Sequence, residues 1–173
     1  MKRIKQFVIL VAILGITFLV WSQSYTFNVA KATAHLTAHG RDKSIHCCAW
    51  YTMRALQAGG CPAIILPAQW YRYFMPLVRF EEIEVAGYTP QAGDIVVFER
   101  PKGRSWKKIS QWWGHVAMYN GEQWISDFKQ KRMNPYKTNV PYRIYRYKSA
   151  AVNSQNRKNG KAMVFFMQEN LAE

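Results

Sequence analysis

The chain has 173 residues, 49% of them hydrophobic, 15% aromatic and 20% charged, which excludes an intrinsically disordered chain and fits one folded domain of ordinary size. Its formal net charge is +14, and +10 remains when Lys2, Arg3, Lys5 and Lys31 are set aside, so the excess belongs to the folded part. Such charge implies a polyanion or an anionic surface as partner, whether nucleic acid, anionic lipid or the anionic polymers of a bacterial envelope. No zinc-finger spacing, RNP-like stretch or arginine-rich helix supports nucleic acid.

The first residues, MKRIKQFVILVAILGITFLVW, place Lys2, Arg3 and Lys5 ahead of an uncharged apolar run. That order predicts a signal anchor or signal peptide over residues 1–24, with the bulk of the chain outside the cytoplasm. The run is slightly short for a hydrocarbon core of about 30 Å, and Trp21 suits the far interface. The anchor reading is preferred and implies an inner-membrane protein with a periplasmic or extracytoplasmic domain. Cleavage, for which Ala30-Lys31-Ala32 is a small-x-small site, would make the domain secreted. The expected organisation is a tether, or a loosely packed leading helix, over 25–40, one compact domain over 41–150 and a C-terminal extension over 151–173.

Within the domain, IHCCAWYTMRALQAGG at 45–60 predicts a helix of about eleven residues that begins at Cys47 or Cys48 and stops at Gly59-Gly60. A second short helix is expected over 67–74, with Pro67 in its first turn and Pro76 ending it. The turn residues 89–94 lead into a short apolar strand, Ile95–Phe98. After a basic loop over 100–110 come a strand from His115 to Tyr119, the hairpin signal Asn120-Gly121 and a strand-like stretch over 122–128. Residues 142–147 alternate well enough for a further strand, 153–160 read as a linker, and 162–171 as a terminal strand or helix. A helix first and antiparallel strands after it make an α+β domain.

Thiol chemistry needs a Cys near a His, with a third polar group that orients the imidazole. A Cys at a helix start is helped toward the thiolate by the helix dipole and by free backbone N–H groups. Cys48 has that position. His115 opens a strand after Gly114, and two-residue hairpin counting sets it level with Ser126, one place from Asp127. Either Ser126 or Asp127 is thus a candidate orienting group. Cys61 reads as a small buried residue, because the eleven-residue helix would hold it about 16 Å from Cys47 or Cys48, whereas a disulfide needs Cα atoms within about 7 Å. His46, Cys47, Cys48, Cys61 and His115 include zinc-ligand types but lack the paired short spacings of a zinc module. Neither a metal nor a cofactor is expected.

Cys48-Ala49-Trp50-Tyr51, then Pro90-Gln91-Ala92-Gly93-Asp94-Ile95-Val96-Val97-Phe98, then Gly114-His115-Val116-Ala117-Met118-Tyr119 occur in the order found in CHAP and NlpC-type papain-like peptidoglycan hydrolases, which the chain resembles over roughly 45–128. Secreted or injected cell-wall amidase effectors of bacteria look similar. The resemblance implies a papain-like fold, with a catalytic helix packed on an antiparallel sheet. It also implies Cys48 as nucleophile, His115 as general base and a variable polar third residue, taken to be Asp127. Cys47, directly before the nucleophile position, departs from the pattern. The implied reaction is cysteine-dependent cleavage of an amide bond in peptidoglycan, by an N-acetylmuramoyl-L-alanine amidase or an endopeptidase of the stem peptide or cross-bridge. Trp50, Trp70, Trp112 and Trp113 are candidate platforms for sugar or peptide. The expected partners are peptidoglycan and, through the N-terminal helix, the membrane, with no nucleic acid and with an immunity or secretion-machine partner left open. The competing readings are an inactive membrane-anchored wall-binding protein and a Cys-His acyltransferase of related fold.

Overall fold

A computed structural model describes residues 6, 7, 15, 17, 25–101 and 113–148. The expected leader, most of the basic loop and the C-terminal extension lie largely outside the described residues. Among the described residues, no helix is long and apolar enough to cross a membrane.

The segment 25–40, expected as a tether or a loosely packed leading helix, contains a helix and is part of the packed domain. Tyr25 and Phe27 are buried, and their rings meet Phe80 and Tyr147 at centroid separations of 5.2 to 5.8 Å. Such ring pairs contribute about 0.5–1.5 kcal/mol each beyond simple burial. Helix α1 (Val29–His39) follows, capped by the Asn28 side chain, which accepts from the Lys31 N–H. It buries Ala32, Thr33 and Leu36 against α2 (Cys48–Ala58).

Helix α2 has the eleven residues expected of it and buries Thr52, Met53, Ala55 and Leu56, a single face at helical spacing. A 3-10 turn (Ala68–Trp70) runs into α3 (Tyr71–Leu77), which continues through Pro76 rather than ending there. Proline removes the N–H that would serve the Arg72 carbonyl, and the Tyr145 hydroxyl donates to that carbonyl instead, at 3.1 Å.

One antiparallel sheet forms the other layer, so the domain is α+β with helices packed on the sheet. Its strands are β1 (Phe80–Ile83), β2 (Ile95–Phe98), β3 (His115–Tyr119), β4 (Trp124–Ile125) and β5 (Tyr142–Tyr147), in the spatial order β1-β5-β2-β3-β4. Central strand β2 is buried along its whole length. Alternation divides its side chains between two cores. Ile95 and Val97 join Val116, Met118 and the helices, while Val96 and Phe98 join Ala117, Trp124, Val140 and Ile144 on the reverse face.

The hairpin after β3 is wider than simple counting implies. Tyr119 pairs with Trp124 and Met118 with Ile125, a register two residues away from one that sets Tyr119 opposite Glu122. The cause is the Asn120 side chain, whose Oδ1 accepts the N–H groups of both Glu122 and Gln123 at 3.0 and 2.8 Å and so builds a larger turn. Strand β4 then stops and the chain doubles back, with Gln130 N–H donating to the Trp124 carbonyl at 2.9 Å. This reversal brings Ser126, Asp127 and Gln130 together.

Candidate active site

Cys48 is the first residue of α2, and Cys47 occupies the N-cap position without a side-chain capping bond, so backbone donors of the first turn are left over from the helix ladder. The half-buried Cys48 sulfur is met by the N–H groups of Val116 and Ala49. Burial is the larger influence and, aided by the negative charge of Asp127, pushes the thiol up to about 11 against those two donors.

His115 is the first residue of β3, paired across the ladder with Phe98. Gly114 precedes it at φ +71, and a Cβ there would lie 2.3 Å from the Phe98 carbonyl oxygen, so only glycine fits this approach to the strand. The ring is 8% exposed and walled by Phe98, Phe128 and Tyr136, at centroid separations of 6.2 to 6.4 Å. Burial brings its pKa down to about 4, with Asp127 opposing the shift. Cys48 and His115 line one cavity of about 180 Å³, together with Ser44, His46, Gly114, Asp127, Phe128, Pro135 and Tyr136. Among the described residues no hydrogen bond joins sulfur to ring, and burial shifts both groups in the direction that favours neutral thiol and neutral imidazole.

The side chain that touches the imidazole is Gln130, which the sequence reading did not single out. Its Nε2 lies 2.8 Å from His115 Nε2 and 3.2 Å from Ser126 Oγ, and its Oε1 is buried without a partner. Half a rotation of the amide about its terminal bond would turn that oxygen toward a ring N–H. A glutamine in a loop carries no local pattern that marks it. Its role emerges only because the chain folds back after β4.

Asp127, expected to orient the ring, is fully buried nearby and lines the same cavity, but it makes no hydrogen bond to His115 among the described residues. Its Oδ2 accepts from the Ile45 N–H at 2.6 Å, the Ser44 hydroxyl at 2.9 Å and the Cys47 N–H at 3.2 Å, while Oδ1 accepts from the Ser126 hydroxyl at 3.0 Å. Burial alone would raise its carboxyl, and these bonds outweigh burial and hold it below the usual carboxylate range. The carboxylate thus pins the turn that leads into α2. That turn includes His46 at φ +63, a left-handed conformation uncommon outside glycine and asparagine.

A second, larger cleft of about 380 Å³ opens on the other side of Cys48, between Trp50, Ile65, Leu66, Pro67 and Trp113. Trp50, Trp70 and Trp113 are each 51% exposed; Trp50 and Trp113 line this cleft and Trp70 lines neither cavity. Trp112 lies outside the described residues. Cys61 is buried and Cys47 exposed, and both thiols are free. Among the described residues no three His, Cys, Asp or Glu side chains converge as metal ligands.

The depressed His115 pKa predicts a stability profile with a definite sign. The unfolded imidazole takes up its proton near pH 6.5 and the folded one only near 4, so this stabilisation is complete above pH 6.5 and is lost as pH falls toward 4, by about 3 kcal/mol in all. Urea unfolding midpoints measured at pH 7 and 4.5 should show the loss, and His115→Asn should remove most of it.

No family model and no curated protein matches the chain. A solved structure does. The crystal structure of the type VI native effector-immunity complex Tae3-Tai3 from Ralstonia pickettii contains a similar chain, 26% identical, covering 70% of this chain and 100% of its own, with a TM-score of 0.57. The selenomethionine form of the Tae3-Tai3 complex matches at 26% identity, 67% and 99% coverage and a TM-score of 0.56. The fold of this chain is therefore that of a Tae3-Tai3 component across the component's whole length.

Proposed function

We propose that this protein is a cysteine-dependent peptidoglycan hydrolase that cleaves an amide bond, in the effector role of a type VI effector-immunity pair. The observation that carries the reading is one cavity lined by both a helix-start thiol and a buried imidazole, the imidazole's Nε2 being met by the Gln130 amide. A nucleophile in a cleft suits an effector, and its counterpart would be an immunity protein that closes the cleft. Peptidoglycan as substrate rests on the motif resemblance and on the likeness to the Tae3-Tai3 structure. The N-terminal run 1–24 is proposed to take the domain out of the cytoplasm as a signal anchor or signal peptide.

In this mechanism Cys48 is the nucleophile and His115 the general base. His115 Nε2 faces Gln130, so Nδ1 is the nitrogen left to take the thiol proton. An imidazole with Nδ1 unprotonated carries its proton on Nε2, which the turned Gln130 amide would accept through Oε1. Because both resting groups are neutral, proton transfer accompanies attack on the amide carbonyl instead of preceding it. The S–C bond forms, N–H groups at the start of α2 stabilise the oxyanion, and the imidazolium protonates the departing nitrogen as the C–N bond breaks. Water, deprotonated by His115, then attacks the thioester carbonyl. The acid forms and the sulfur leaves, regaining its proton from the imidazolium. Asp127 is a positioning residue that holds the turn before α2, and its charge favours the imidazolium.

Gln130→Ala should lower kcat roughly tenfold or more, the equivalent of one hydrogen bond of about 1.4 kcal/mol, with the unfolding midpoint little changed. Full activity in this variant would remove Gln130 from the mechanism. The reaction itself is tested by incubation of the protein with purified peptidoglycan and mass spectrometry of the fragments. New free amino groups on peptides are expected, and they also identify the bond. New reducing sugar ends with intact peptides would exclude amide cleavage.

A further inference from the structure

Between α1 and α2 is a third cavity, of about 210 Å³, lined by His35 and His39 from α1 and by Trp50, Tyr51 and Arg54 from α2. Among the described residues no acidic side chain lines it. The His35 and His39 rings stack at a centroid separation of 4.2 Å, and His39 Nδ1 is engaged with the His35 carbonyl at 2.7 Å, which leaves Nε2 available. Arg54 reaches only the amide oxygen of Gln57, at 3.2 Å, and makes no ion pair among the described residues. The Tyr51 hydroxyl accepts from Arg41 Nε at 3.0 Å, so its own O–H is free to donate. Arg54 and the Tyr51 hydroxyl thus offer donors to this space, while each neutral imidazole has one accepting nitrogen and becomes a full donor only as the imidazolium, a form that burial and the neighbouring His39 and Arg54 disfavour at His35 and that a carboxylate placed here would favour.

Such a lining suits an anion. Its position indicates which one, because Trp50 lines both this cavity and the cleft that ends at Cys48. A peptide lying across the Trp50 ring would have its reacting bond at Cys48 and an acidic group among the two histidines and Arg54. A guanidinium fork matches the two oxygens of a carboxylate, and a free carboxylate is the anion that a peptide brings.

We propose that the cavity between α1 and α2 is a carboxylate-binding subsite, in which Arg54, His35 and His39 hold an acidic group of the peptide whose amide bond is presented to Cys48 across Trp50. This rests on the peptidoglycan-peptide reading above, so binding and turnover are measured separately.

For binding, the full chain carrying Cys48→Ala is titrated with N-acetylglutamate α-amide, which has one carboxylate, with N-acetylglutamine α-amide, which has none, and with inorganic phosphate, while the histidine Cε1–H resonances are followed by NMR. Saturable shifts of His35 and His39 with N-acetylglutamate α-amide are expected, at least tenfold weaker with N-acetylglutamine α-amide, and the carboxylate response about tenfold weaker in Arg54→Gln. No saturable shift, an equal response to the amide, or an unaffected Arg54→Gln would overturn the subsite. Tighter binding of inorganic phosphate than of the carboxylate would overturn its assignment to a peptide and point to the phosphate of a wall polymer. For turnover, Arg54→Gln is expected to raise KM about tenfold with kcat kept on a stem peptide that has free carboxylates, and to change nothing when they are amidated. A fall in kcat at constant KM would overturn the proposal. Absence of turnover in the wild type would reject the hydrolase reading, and the titration would still decide whether the site takes a carboxylate.

Discussion

Replacement of Cys48 by alanine is expected to abolish peptidoglycan digestion, by about 10⁴-fold or more, while the fold persists. No other described thiol can substitute. Cys61 is buried in the core and Cys47 is exposed at the N-cap, and neither lines the cavity that contains His115. The removed sulfur sits at the edge of the main core, and loss of one half-buried atom costs about 1 kcal/mol, well within the stability of a domain of this size. Near-UV circular dichroism should therefore match the wild type, and Cys47→Ala should keep activity within a few-fold. His115→Ala is expected to cost as much as Cys48→Ala, and the double variant no more than either, because the two groups act as a unit. A Cys48→Ala protein that still releases peptide fragments would reject the nucleophile assignment. One that loses digestion yet still has its biological effect would favour a binding protein over an enzyme.

The second large effect is expected from Asp127→Ala, first in stability and through it in activity. This carboxylate is completely buried and receives four hydrogen bonds, two from backbone N–H groups and two from hydroxyls. Removal leaves those donors without an acceptor, with a penalty of about 3–5 kcal/mol. It also frees the turn containing His46, which is held at φ +63, so the start of α2 would lose its alignment with His115 and kcat would fall at the same time. Asp127→Asn keeps the volume and one acceptor oxygen but gives up the charge, and should lie between the two. Urea unfolding measures the first effect and turnover the second. If Asp127→Ala unfolds at the wild-type urea concentration, the carboxylate does not pin the turn. If Asp127→Asn and Gln130→Ala lower kcat alike with no change in stability, the aspartate acts on the imidazole and not on the turn.

How far the site could be read in advance differed among its residues. The α2 helix was legible with its length because helix formers run up to Gly59-Gly60, and both features are local. Strands β2, β3 and β5 were legible for the same reason, as short apolar or alternating runs bounded by turn residues. Helix α1 was less so. Its sequence VAKATAHLTAH has small and polar residues, and its burial depends on Tyr25 and Phe27 finding Phe80 and Tyr147, residues far along the chain. Strand β1, with only Phe80 and Ile83 pointing away from solvent among two glutamates, has too weak a pattern to stand out before β5 pairs with it. The hairpin register failed on a single side chain, since Asn120 can close a two-residue turn or cap a wider one, and only the finished turn reveals which.

What the sequence determined by itself is everything carried by near neighbours: the helix that starts at Cys48, the glycine before His115, the apolar strands and the order in which Cys48 and His115 appear. What the tertiary structure decided is which side chains face those two residues. The reversal after β4 turns Asp127 toward the entry of α2 and brings Gln130 to the imidazole, and the packing of α1 on α2 sets two histidines beside Arg54. These placements depend on the path of the backbone through space, which long-range pairing of strands and burial of aromatic rings select, and no spacing of residues along the chain encodes them.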